Sequence, residues 1–68
     1  MDFKISMAAA RVNAKLSQED IAKKMSLTRT TIVSWENGKT IPKPAQFEMF
    51  CRLCNIPKDC VFLPSNQT

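Results

Sequence analysis

Histidine and tyrosine are absent from this chain, and glycine occurs once in its 68 residues. Each absence removes a class of chemistry. Without histidine there is no side chain whose ordinary titration falls near neutrality, and no imidazole ligand for zinc. A single glycine cannot build a loop that cradles phosphate, and no close pair of carboxylates stands ready for acid–base work, so no enzyme, cofactor or small-molecule substrate is expected. No apolar run approaches the roughly 20 residues that a membrane span needs. Nor does any stretch alternate with the period of a strand for long. The three cysteines, Cys51, Cys54 and Cys60, cannot all pair within one chain. Cys51-x-x-Cys54 invites a zinc or redox reading but lacks the remaining ligands; the plainer reading is small buried apolar residues, with no metal bound. Met1-Asp2-Phe3-Lys4 lacks the basic and then apolar stretch of an export signal, so a cytoplasmic location is expected. The starting Met1 and the polar end at Thr68 fit a complete small protein.

What is present is a small globular composition, with 44% hydrophobic and 24% charged residues, enough for one domain with a modest core. The formal charge of +4 is unevenly spread. Asp2, Lys4, Arg11, Lys15, Glu19 and Asp20 cancel over residues 1–22, and Glu48, Arg52, Lys58 and Asp59 cancel over 44–68. The whole excess lies between, where Lys23, Lys24, Arg29, Lys39 and Lys43 face Glu36 alone. A local positive patch of this kind suits a polyanion.

Helix punctuation dominates the chain. A first helix is expected from Lys4 to Ala14, with Ile5, Ala8, Ala9 and Val12 on one stripe and Leu16 packing just after it. Ser17 followed three residues later by Asp20 marks the start of a second helix over 18–25, whose inner face is Ile21, Ala22 and Met25. Thr28 can cap a third helix over 28–37 with Ile32 and Trp35 inward, and Gly38 supplies the left-handed residue that ends it. Trp35 shares a face with Ile32 and is read as core, not as a base-stacking residue. A proline-bearing loop follows, then a helix from Ala45 to Cys54 burying Phe47, Phe50, Cys51 and Cys54, and a short fifth helix from Pro57 to Phe62. Ser65–Thr68 reads as a disordered polar tail.

The second and third helices have the spacing of a helix-turn-helix, in which the first helix braces the second at a steep angle through apolar residues and one small contact residue. Counted from Gln18, positions four, five, eight, ten, fifteen and eighteen are Ile21, Ala22, Met25, Leu27, Ile32 and Trp35. Ala22 is the small residue at the crossing. The stretches RVNAKLSQEDIAKKM and TRTTIVSWENGK, with the proline that follows, resemble the Cro/repressor-type helix-turn-helix proteins, or XRE family, of phages and bacteria. The resemblance runs from Ile5 to Leu63. Position nine, commonly glycine in that family, is Ser26 here, which implies about 1 kcal/mol of backbone strain if the turn stays left-handed.

The resemblance implies an all-α, compact five-helix, lambda-repressor-like domain over residues 1–64 that binds double-stranded DNA and regulates transcription. In such proteins the third helix enters the major groove, where short polar side chains let its backbone come close to the base edges. Arg29 then suits guanine, Thr30 and Ser34 suit either kind of polar edge, and Val33 or the Thr30 methyl suits thymine. Gln18, Thr28, Asn37, Lys39, Thr40 and Lys43 are the expected phosphate contacts; the alternative for Gln18, and more so for Lys43, is an ordinary solvated residue. Lys23 and Lys24 only add to the general field. The family further implies that Glu36, the lone acid of the basic segment, forms a structural ion pair with Arg11.

One reading helix covers too few bases to locate a site, so a homodimer on a palindromic operator is expected, monomeric when free and dilute. Cys60, Val61, Phe62 and Leu63 are the candidate interface, although Val61 and Phe62 can instead complete the core. The alternative function is a protein-interaction module, such as an antitoxin or a polymerase-bridging factor, on the same fold. The polar and basic outer face of residues 29–37 favours DNA, because protein-docking surfaces usually carry aromatic or aliphatic anchors.

Overall fold

The computed structural model describes residues 4–63; the tail expected at Ser65–Thr68 lies outside them. Four α-helices follow one another: α1 (Met7–Asn13), α2 (Gln18–Met25), α3 (Arg29–Glu36) and α4 (Pro44–Leu53). The expected fifth helix is a single 3₁₀ turn, Lys58–Cys60. After it the backbone is extended, because Val61 pairs with Ile5 in an isolated parallel bridge. The Ile5 N–H donates to the Cys60 carbonyl at 2.9 Å and the Phe62 N–H to the Ile5 carbonyl at 2.8 Å. A contact between the two ends of the chain therefore overrides the local helix signal of Pro57.

Each helix start carries a local acceptor. Ser6 Oγ accepts from the Ala9 N–H at 3.0 Å, and Thr28 Oγ1 from the Thr31 N–H at 3.3 Å. Ser17 and Asp20 cap α2 reciprocally, at 3.0 and 2.9 Å. The Ser17 backbone N–H, and after it the Ser17 hydroxyl, hold the Asp20 carboxyl below its ordinary value. α4 opens with Pro44 in its first turn, and Gln46 Oε1 accepts from the Lys43 N–H at 2.9 Å.

The helix ends are also alike. Lys15, Ser26, Gly38 and Asn55 all have φ between 59° and 78°. The N–H of the next residue then reaches back across the last turn, Leu16 to Arg11, Leu27 to Ala22, Lys39 to Ser34 and Ile56 to Cys51. This closure satisfies carbonyls that a helix end would otherwise leave bare, and Leu16, Leu27 and Ile56 pack against the core as its apolar companions. Gly38 adopts the conformation without a Cβ clash, and an asparagine tolerates it, whereas Lys15 and Ser26 are each strained by roughly 1 kcal/mol. Ser26→Gly is accordingly expected to raise the melting temperature by about 4 °C in thermal circular dichroism. A lower melting temperature would show that Ser26 is not strained.

The core gathers Met7 and Ala10 from α1, Ile21 and Ala22 from α2, Ile32 and Trp35 from α3, Phe50 and Cys51 from α4, and Cys54 and Val61 beyond it. Phe47 and Met25 pack against it half-buried. α2 packs most extensively on α3, with Ala22 only 4% exposed. On α1 the expected stripe is right only for Ile5, which packs against the core, and the buried face of the helix itself is a different one. Val12 is 60% exposed and Ile5 precedes the helix, while Met7 and Ala10 are buried and Ala14 packs beside them. Capping by Ser6 starts the helix three residues later than expected, and in the run Ala8-Ala9-Ala10 no side chain contrasts with its neighbours enough to mark the inner face.

Candidate nucleic-acid interface

The basic segment folds into the outer side of α3 and the loop after it. Arg29 and Thr30 are exposed in the first turn, and Val33 and Ser34 are half-buried in the second. Thr28, which caps the helix, also lies with its hydroxyl 3.1 Å from that of Thr31. Beyond the helix, Asn37, Lys39, Thr40 and Lys43 are all exposed. The Ser34 carbonyl accepts from the N–H groups of Lys39 at 2.9 Å and Thr40 at 3.4 Å, so the helix ending fixes where these residues emerge.

Glu36 faces the other way. Its Oε2 accepts from Arg11 Nε at 2.7 Å and its Oε1 from Arg11 Nη2 at 3.2 Å, a two-pronged contact that matches guanidinium to carboxylate. The Glu36 and Arg11 side chains are 6% and 14% exposed. Arg11 Nη1 donates further to the Leu16 carbonyl at 2.9 Å, which ties the closure of α1 into the same group. A third member joins them: Gln18 Nε2 donates to Glu36 Oε1 at 3.0 Å. The spacing of the sequence held no sign of this contact, which links the start of α2 to the end of α3. It leaves Gln18 one further amide hydrogen and its first-turn backbone N–H to meet an anion. Among the described residues no buried side-chain nitrogen or oxygen lacks a partner.

The consequence is electrostatic. With Glu36 turned inward against Arg11, the exposed surface from Thr28 to Lys43 carries Arg29, Lys39 and Lys43 and no acid. Lys24 sits elsewhere, with Asn13 and Asn55 along a groove of about 630 Å³ beside the ends of α1 and α4. Two of the three thiols are no part of the surface either. Cys51 and Cys54 are buried, and burial pushes the Cys54 thiol up to about 11 and Cys51 in the same direction. Neither is a thiolate near neutral pH. Among the described residues no group of His, Cys, Asp or Glu could hold a metal ion, and no helix is long and apolar enough to cross a membrane.

A compact helical chain, with α2 braced under α3 and an acid-free outer face on α3, has the anatomy of a helix-turn-helix, and the sequence model of that family matches residues 7–59. The chain belongs to the XRE family of helix-turn-helix proteins. No curated protein and no solved structure matches it. As an XRE-family protein it is a DNA-binding regulator of transcription, and its partner is double-stranded DNA. The match spans α1 to the 3₁₀ turn, with α2 and α3 as the motif. One group of expected site residues changes. Val61, expected at a dimer interface with Cys60, Phe62 and Leu63, is 2% exposed and belongs to the core, because its bridge to Ile5 draws it inward. Cys60 is half-buried, while Phe62 and Leu63 are 55% and 51% exposed.

Proposed function

We propose that this XRE-family protein is a sequence-specific repressor of the Cro/repressor type with a lambda-repressor-like architecture, acting on cytoplasmic DNA. α3 lies in the major groove. Arg29 donates to guanine O6 and N7, Thr30 and Ser34 bond polar base edges, and Val33 rests on a thymine methyl. Gln18, Thr28, Asn37, Lys39, Thr40 and Lys43 hold the flanking phosphates, through side chains at the end of α3 and backbone N–H groups at the start of α2. Two copies, meeting through Phe62 and Leu63, occupy a palindromic operator whose half-sites lie about 34 Å apart. The observation that supports the reading best is the inward turn of Glu36 against Arg11, which leaves the exposed residues of the basic segment without an acid among them.

Selection of bound duplexes from a random pool tests it. A recovered palindrome with half-site centres roughly 10 base pairs apart is the expected result. Recovery of single half-sites would overturn the dimer, and recovery of no preferred sequence would overturn specific reading.

A further inference from the structure

The outer face of α4 differs from that of α2. On α2, Glu19, Asp20, Lys23 and Lys24 are exposed. On α4, Ala45, Met49 and Leu53 recur at intervals of four and so form one apolar stripe along the helix. They line a shallow groove of about 290 Å³ together with Glu48 and Arg52. Met49, at the middle of the stripe, is 45% exposed and Ala45 is exposed, while Leu53 is half-buried at the edge of the core that Phe50, Cys51 and Cys54 serve on the other side. Glu48 and Arg52 stand on the same flank, 3.8 Å apart, with side chains 53% and 80% exposed. A pair so open and so long satisfies neither charge well.

This pattern is self-complementary in one orientation. Along a helix each residue advances about 1.5 Å, which places Glu48 about 1.5 Å before Met49 and Arg52 about 4.5 Å after it. Let a second α4 run antiparallel across a two-fold axis at Met49. Ala45 of each copy then meets Leu53 of the other, small against large, and methionine meets methionine on the axis. Reversal of direction brings Glu48 of each copy to within about 3 Å, along the helix, of the other copy's Arg52. In the parallel arrangement the two-fold would carry the charged flank of the second copy to the opposite side of the stripe, and Glu48 and Arg52 would meet no charged partner across it. The charges therefore pair across the contact only when the second copy runs antiparallel, an arrangement in which each copy offers the same patch, as an isologous contact requires.

We propose that the outer face of α4 is a self-association surface, occupied by a second copy of this chain lying antiparallel about Met49. The contact needs no DNA and is separate from Phe62 and Leu63, so it stands apart from the operator-bound dimer. One helix of ten residues covers well under the roughly 800 Å² per partner of a standard interface, so the association is weak and is to be sought at high concentration.

Sedimentation equilibrium without DNA, from about 10 µM to about 1 mM protein, reads it. The native protein is expected to show a monomer–dimer equilibrium. Glu48→Arg, which sets arginine against arginine across the axis, should raise its dissociation constant about tenfold, and Glu48→Arg with Arg52→Glu should restore it. Phe62→Ser should leave it unchanged. An exposed pair four residues apart contributes little to folding, and Phe62 is 55% exposed, so all three variants should keep their helical circular dichroism. A protein monomeric throughout, indifference to Glu48→Arg, failure of the double exchange to restore pairing, or loss of pairing with Phe62→Ser alone would each overturn the proposal. The random-pool selection is read independently, so failure there leaves this result standing.

Discussion

Replacing Glu36 with alanine is expected to destabilise the protein by about 3 kcal/mol in the absence of any DNA. Removal of the carboxylate leaves the Arg11 guanidinium, 14% exposed, without its counter-charge and with only the Leu16 carbonyl to accept from it, and strips the Gln18 amide of its acceptor. A chain of this length holds only about 3 to 10 kcal/mol in total, so the loss is a large share of it. The melting temperature should fall by roughly 12 °C or more. Two companions separate the causes. Arg11→Ala should cost comparably, because it leaves Glu36, the less exposed member, charged and held by the Gln18 amide alone. Removing both together should cost less than the two single losses added, since neither charge is then left alone. A Glu36→Ala protein that melts where the native one does would remove the clamp as a structural element.

The same group of residues shows what the sequence can carry and what it cannot. Ser17, Asp20, Thr28 and Gly38 mark helix ends legibly because capping is local: donor and acceptor lie within a few residues. The six apolar positions of the motif were legible for a related reason, since two helices joined by a short turn must meet at fixed spacings. The Arg11–Glu36 pairing was indicated only by family resemblance, and Gln18, its third member, lies 18 residues from Glu36 with nothing in the spacing to announce it. Val61 is the same case at larger scale. Its residue type allowed an interface or a core position, and only the bridge between the two ends of the chain decides. On α1 the difficulty was different, because alanines on neighbouring faces carry too little contrast to show which one is buried. Lys15 and Asn55 adopt left-handed backbone without the glycine that would have signalled it.

DNA affinity should depend on salt far more steeply than on any single substitution. If Lys39 and Lys43 each neutralise one phosphate, a dimer displaces about four condensed counterions, and the logarithm of the association constant falls with a slope near −4 against the logarithm of salt concentration. Between about 50 and 200 mM salt, binding then weakens by roughly two orders of magnitude. Substitutions divide this total into two kinds. Lys39→Ala should weaken all duplexes alike and flatten the slope by about one for each copy bound, because a phosphate contact carries no sequence information. Arg29→Ala should leave more of the slope intact and relax preference at one base position in each half-site, at a cost of about 1 to 3 kcal/mol for that base. Fluorescence anisotropy with a specific and a scrambled duplex, each titrated at several salt concentrations, distinguishes the two. A specificity lost with Lys39 and kept without Arg29 would exchange their roles. An affinity indifferent to salt would mean that the acid-free face of α3 is not where phosphates lie, and the groove-reading geometry would fall with it.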